Sequence, residues 1–287
     1  MRQQILQTAL WIVVAYWAAS CKPTVAGGES DVQTLDNLAR SGGTALVDNS
    51  CGIRLTDNRY ERLSATTKAK LEIIKAEDRR HFLAVAGTLT AVPKPIQSMF
   101  FAVGGTVVVT KEAASQCASV KLTAAEKTFA GENTAELDSC WKRQNDSVTV
   151  ILPEDEDKIR HSLSRLFAYL YFEYFYDSIK KGQNKNLTAS ADRFEDQLTG
   201  LTTAFLKDIA GGDRDVFDKF VAMDQQSPAT LQKFVFAETV DSYYCSKTTR
   251  DAMSKSFSST HRSFQQGEST VANGKSLADD FGKAHFE

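Results

Sequence analysis

Few residues of this 287-residue chain stand where they could do chemistry. His161 and Arg165 are four apart in His161-Ser162-Leu163-Ser164-Arg165, which in a helix puts both side chains on one face. An imidazole nitrogen can ligate a metal or carry a proton, whereas a guanidinium has no lone pair and stays charged. Far downstream, Phe236-Ala237-Glu238 sets a carboxylate among aromatic residues, and Asp241-Ser242-Tyr243-Tyr244 follows. His81, His261 and His285 are scattered and share no ligand spacing. Cys51, Cys117, Cys140 and Cys245 lack the CxxC spacing of a zinc site and read as two disulfides in an oxidising compartment. Of the three connectivities, the local closure Cys117–Cys140 is favoured, which leaves Cys51–Cys245.

Helices and two strands must position these groups. Tyr60 to Ala86, rich in Ala, Lys, Glu and Leu and punctuated by Gly87, is expected to be one helix. Pro93-Lys94-Pro95 starts a shorter helix over Ile96–Ala102, which Gly104-Gly105 ends. Thr106–Thr110 is β-branched throughout and predicts a strand. Lys111 to Asp146 reads as a long irregular excursion tied by the Cys117–Cys140 bridge. Ser147–Leu152 predicts a second strand, stopped by Pro153. Acidic Glu154–Asp157 suits the start of a long helix, Asp155 to Lys180, because the helix dipole favours negative charge there. Its middle, Leu166–Phe172, is apolar nearly all round and predicts burial. Further helices are expected over 191–210, 213–223, 228–246 and 248–256, and 265–280 reads as a loose polar tail.

The start of the chain carries a different signal. Met1-Arg2 is positive, Ala9–Ala19 is an apolar run too short for a membrane span, and Ala18-Ala19-Ser20 is small. This is the order of a signal peptide. Ala18-Ala19-Ser20-Cys21 resembles the lipobox of bacterial lipoproteins, with Ala where Leu is usual, and the resemblance implies lipidation at Cys21; the alternative is a soluble secreted form cut at the same place. The expected organisation is a signal peptide over 1–20, a lipid-anchored tether and lead-in over 21–50, a helical domain over 51–264 and a polar tail over 265–287. The expected location is the cell envelope or periplasm, with the membrane reached through the lipid on Cys21.

Strand, long helix and downstream Glu-bearing helix come in an order that resembles the gluzincin zinc metallopeptidases, in particular the group related to anthrax lethal factor. The resemblance covers Val92–Cys245 and rests on the order of elements and on Phe236-Ala237-Glu238 with Asp241-Ser242-Tyr243-Tyr244. In that family a strand leads into a helix bearing His-Glu-x-x-His, and a downstream helix supplies a Glu as third metal ligand. Two histidines at i and i+4 grip one ion, and the Glu between them activates the bound water. Here His161 matches the first histidine and Glu238 the third ligand. Ser162 stands at the base position and Arg165 at the second histidine. The resemblance therefore implies a zincin-like fold that has lost zinc and activity, with no catalytic residue and no cofactor. It further implies an Arg165–Glu238 ion pair in place of the metal.

With 42% hydrophobic and 24% charged residues the chain can bury a core, and a net charge of −2 leaves no basic excess to suggest nucleic acid as a partner. The expectation is a mostly helical α+β domain with a small sheet and long central helices. Its leading function is a non-catalytic, peptide- or protein-binding envelope protein. One alternative is an active zinc peptidase using His161, Glu238 and one of Glu173, Asp177 or Asp241. The other is a structural envelope lipoprotein.

Overall fold

The computed structural model describes residues 55–118, 139–144, 147–173, 188–212, 214–266 and 276–281. The leader, Cys21, the tether and Cys51 lie outside them, as does the Asp177 of the alternative ligand set. The architecture is α+β and mostly helical, as expected, but with four strands among the described residues where the sequence predicted two.

The expected single helix over Tyr60–Ala86 is instead four elements. Helices α1 (Asp57–Glu61) and α2 (Ala65–Leu71) come first, then a two-residue strand β1 (Ile74–Lys75), then α3 (Arg79–Ala91). Local capping outweighs propensity here. The Ser64 hydroxyl accepts from the Thr67 backbone N–H at 3.1 Å and starts α2, and the Asp78 carboxylate accepts from the Arg80 N–H at 2.7 Å and starts α3. Gly87 does not end a helix but lies buried inside α3. Helix α4 (Lys94–Ala102) and strand β2 (Thr106–Val109) follow as predicted. Between them Gly104 adopts a φ of +61°, a conformation open to glycine.

The stretch 111–146 is not irregular throughout. It holds a short helix α5 (Ala113–Cys117) and a strand β3 (Cys140–Gln144), joined by the predicted Cys117–Cys140 disulfide. Strand β3 runs antiparallel to β4 (Ser147–Leu152), and β4 and β1 both run parallel to β2, giving the order β1-β2-β4-β3. Alternation decides which side chains meet the helices. Val107 and Val109 on β2 and Val148, Val150 and Leu152 on β4 enter the main core, whereas Ile151 joins Ala113, Cys117 and Cys140 in a small separate cluster.

Helix α6 (Glu156–Tyr171) leaves β4 directly and packs on α3 and α4, with Phe167 set 4.5 Å from the Phe100 ring. Asp155 starts it by accepting from the Lys158 N–H at 3.1 Å. Then come α7 (Thr188–Ile209), α8 (Arg214–Gln226), α9 (Pro228–Cys245) and α10 (Lys247–Ser256). Ser246 and Thr249 form a reciprocal capping box at the start of α10. Helix α9 is buried at every position from Phe234 to Cys245, because α6, α7, α8, α10 and α11 surround it. The tail is not loose as a whole. It holds the end of α11 (Ser258–Gln266) and a further short helix, α12 (Leu277–Phe281), both packed on the core. Asp208 of α7 ties α11 down by accepting from the Ser259 and Thr260 N–H groups at 3.1 and 2.8 Å. Among the described residues no helix is long and apolar enough to cross a membrane.

Candidate functional site

The two helices that carry the candidate residues, α6 and α9, pack against each other along their lengths. They run antiparallel. Ser164 meets Asp241, Arg165 meets Glu238 and Asp241, and Glu173 just beyond α6 meets Lys233. Advancing along α6 means retreating along α9, so polar residues on α6 find partners a turn or two apart on α9.

Arg165 Nε lies 3.1 Å from Glu238 Oε1 and 3.4 Å from Asp241 Oδ2. The ion pair that the sequence predicts is therefore present, with a second carboxylate added. The Nε hydrogen points squarely at neither oxygen, so the attraction at this atom is chiefly one of charge. Both carboxylates are buried, at 4% exposure for Glu238 and 5% for Asp241, while the Arg165 side chain keeps 22%. Asp241 Oδ1 also accepts a short hydrogen bond from the Ser164 hydroxyl. Leu163, Phe167, Ala237 and Val240, near these residues in sequence on the same two helices, are buried too, so the two carboxylates are largely removed from water.

Electrostatics follow from that dryness. Burial by itself lowers the Arg165 pKa, but Glu238 and Asp241 outweigh it and hold the guanidinium above its ordinary range. Burial pushes the Glu238 carboxyl up to about 7; Arg165 pulls it down and the neighbouring Asp241 adds to the rise. The cluster is a permanent cation held between two carboxylates, one of which is poised near neutrality.

The other candidates are placed as follows. Ser162, on α6, is half-buried and carries no basic group. His161 belongs to α6, and its side chain lies outside what the structure describes. Glu173 is engaged with Lys233 at 2.7 Å. The second carboxylate, Asp241, and Ser164 complete the cluster. The sequence signal for Asp241 is its position three residues after Glu238, which puts both on one face of α9.

Arg165 makes Glu238 and Asp241 poorly suited to a zinc ion. The carboxylates that would ligate it already face a guanidinium at salt-bridge distance, and a dication placed there would meet that fixed positive charge. Among the described residues no three His, Cys, Asp or Glu side chains converge on a point that could hold a metal. Beside the cluster a crevice opens between α3, α6 and α9, lined by residues that include Thr88, Arg160, Ser164 and Tyr244. It has room for about one water molecule. Arg160 is itself engaged there, donating to Glu156 Oε1 at 2.6 Å.

No protein-family model matches the chain, and no characterised protein matches it in sequence.

Proposed function

We propose that this is an exported, non-catalytic protein built on a metallopeptidase-like scaffold, which acts by binding a peptide or protein in the cell envelope. One observation carries the reading. The helix that leaves a strand, α6, presents Arg165 to a Glu on a downstream helix, where the resemblance to gluzincins calls for a metal between two such helices. A guanidinium is a reasonable electrostatic replacement for a lost cation, because it leaves Glu238 with an opposite charge in a dry site. The bonded Cys117–Cys140 pair, together with disulfide bonding at Cys245, supports residence in an oxidising compartment. The partner expected for Cys245, Cys51, lies outside the described residues. Lipidation at Cys21 would then supply the membrane anchor.

Metal analysis of the purified mature domain tests this. The expected result is substoichiometric zinc and no cleavage of peptide substrates with or without added zinc. One zinc per chain, lost on His161→Ala, would establish the active-peptidase alternative. A constructive test adds Ser162→Glu and Arg165→His together. If α6 and α9 descend from a zinc site, the doubly substituted chain binds one zinc, and a further Glu238→Gln abolishes the binding. A folded double variant with no affinity for zinc counts against that ancestry.

The narrowness of the crevice favours a second reading, in which the cluster is purely structural and the protein a building element of the envelope. Screening the immobilised mature domain against a peptide library separates the two. Saturable binding of a defined sequence supports the binding role, and its absence supports the structural one.

A further inference from the structure

Helix α12, Leu277–Phe281, is five residues long, too short to persist by its own backbone bonds. Its stability comes from what it touches. Ser276 is 0% exposed, Leu277 1% and Phe281 5%. The Phe281 ring lies edge-on to Tyr171 at 5.3 Å and 5.7 Å from Phe236, and Phe194 closes the same cluster at 6.0 Å from Tyr171 and 5.5 Å from Phe236. At the rim Asp280 accepts from Arg193 Nη2 at 3.2 Å and from Gln197 Nε2 at 3.1 Å. The short helix also closes its own first turn: Ser276 N–H donates to Asp279 Oδ2 and Asp279 N–H to Ser276 Oγ.

This is how a peptide ligand is held. Apolar residues at i and i+4 are buried, the second of them in an aromatic socket, one charge at i+3 is read by a cation and an amide at its edge, and the ligand caps itself. The socket is assembled from α6, α7 and α9, helices of 16, 22 and 18 residues, and α6 and α7 both pack on α9.

We propose that the aromatic socket of Tyr171, Phe194 and Phe236, with Arg193 and Gln197 at its rim, is a peptide-binding site. Residues 276–281 occupy it in cis, and it accepts from a partner protein a short helical segment with Leu, Asp and Phe at i, i+3 and i+4. The site is separate from the Arg165 cluster, and the proposal does not rest on the metallopeptidase reading. Its own segment sets the threshold for a partner, because a tethered occupant competes at an effective concentration on the order of millimolar.

A fluorescent synthetic peptide of residues 273–287 is the probe, and the full chain carrying Leu277→Ala and Phe281→Ala is the receptor. The peptide should bind this variant saturably, and the unsubstituted chain at least about tenfold more weakly, since the latter must first release its own segment. A probe with Asp280→Ala or Phe281→Ala should lose most of that binding. Equal binding to both receptors, or none to the folded variant, overturns the proposal. Should the variant not fold, hydrogen exchange on the unsubstituted chain decides. Amides of 278–281 that open locally, well before those of α6 and α9, support a displaceable occupant; opening only together with the core rules it out.

Discussion

Glu238 and Asp241 stand three residues apart on α9 and turn both carboxylates toward the one guanidinium of Arg165. If both are ionised the cluster carries one more negative charge than positive, in a place water hardly reaches. The two acids are not equivalent. Asp241 also accepts from Ser164, whereas Glu238 relies on Arg165 against the cost of burial, and Glu238 is the carboxyl that burial raises. This asymmetry makes the seam between α6 and α9 both strong and sensitive to any change in its charge.

Removing the cation should be severe. Arg165→Ala leaves two buried carboxylates facing each other and is expected to cost about 3–5 kcal/mol, the usual penalty for breaking a buried pair from one side. Replacing all three charges together, with Arg165→Met, Glu238→Gln and Asp241→Asn, should restore much of that loss, because no uncompensated charge remains. Urea denaturation at pH 8 measures both. A loss below about 1 kcal/mol for Arg165→Ala would place the pair among weak surface bridges instead.

The Cys117–Cys140 bond, with a sequence separation of 23, should contribute about 3 kcal/mol by limiting the unfolded chain. Its sulfurs lie in the small cluster with Ala113 and Ile151, behind the sheet and away from the main core. Cys117→Ala with Cys140→Ala should therefore lower the denaturation midpoint while leaving the Arg165 cluster intact. The check is to add Arg165→Ala on top: the two losses should sum, and strong non-additivity would show that the two regions are coupled.

Gly105 is set by close approach rather than by its backbone angle. A Cβ built there would lie 2.5 Å from the Phe100 ring, and Phe100 is itself fully buried against Phe167. Gly105→Ala must push that ring into a packed core, at an expected cost of about 1–3 kcal/mol. Gly105→Ala combined with Phe100→Leu should recover part of the loss in melting temperature. If Gly105→Ala alone melts like the parent, the contact is looser than the structure indicates.

Long, strongly patterned elements were legible in the sequence. Ser147–Leu152, Pro228–Cys245 and the start of α6 after Pro153 lie close to where periodicity and caps place them, whereas the Arg165–Glu238 pair was expected only through the resemblance to gluzincins, since no local pattern says that α6 and α9 face each other. The misreadings have local causes. The Ala- and Lys-rich stretch from Tyr60 favours helix by propensity, but pairing of Ile74 with Val107 makes two of its residues a strand, a long-range contact invisible to a local window. Strand β3 was missed because its Cys-Trp-Lys-Arg-Gln sequence alternates poorly; its partner β4 and the disulfide hold it in place. The polar tail hid α12, whose two apolar anchors are too few to register as a pattern and matter only because the aromatic socket awaits them.

The same cluster makes stability depend on pH through Glu238. Its folded pKa of about 7 lies above its ordinary 4.5, so between these values the folded protein holds a proton that the unfolded chain has released. Stability from this group is therefore highest below about pH 4.5 and declines as pH rises through 7, by at most about 3 kcal/mol for such a shift. Many other groups also titrate over this range, so the readout is a difference: wild type against Glu238→Gln, by urea denaturation from pH 5 to 8. The amide keeps the shape and cannot ionise, so Glu238→Gln should match the parent near pH 5 and become the more stable of the two by pH 8. Stability curves that stay parallel across that window would mean that Glu238 remains charged throughout, and that Arg165 overcomes the cost of burying both acids.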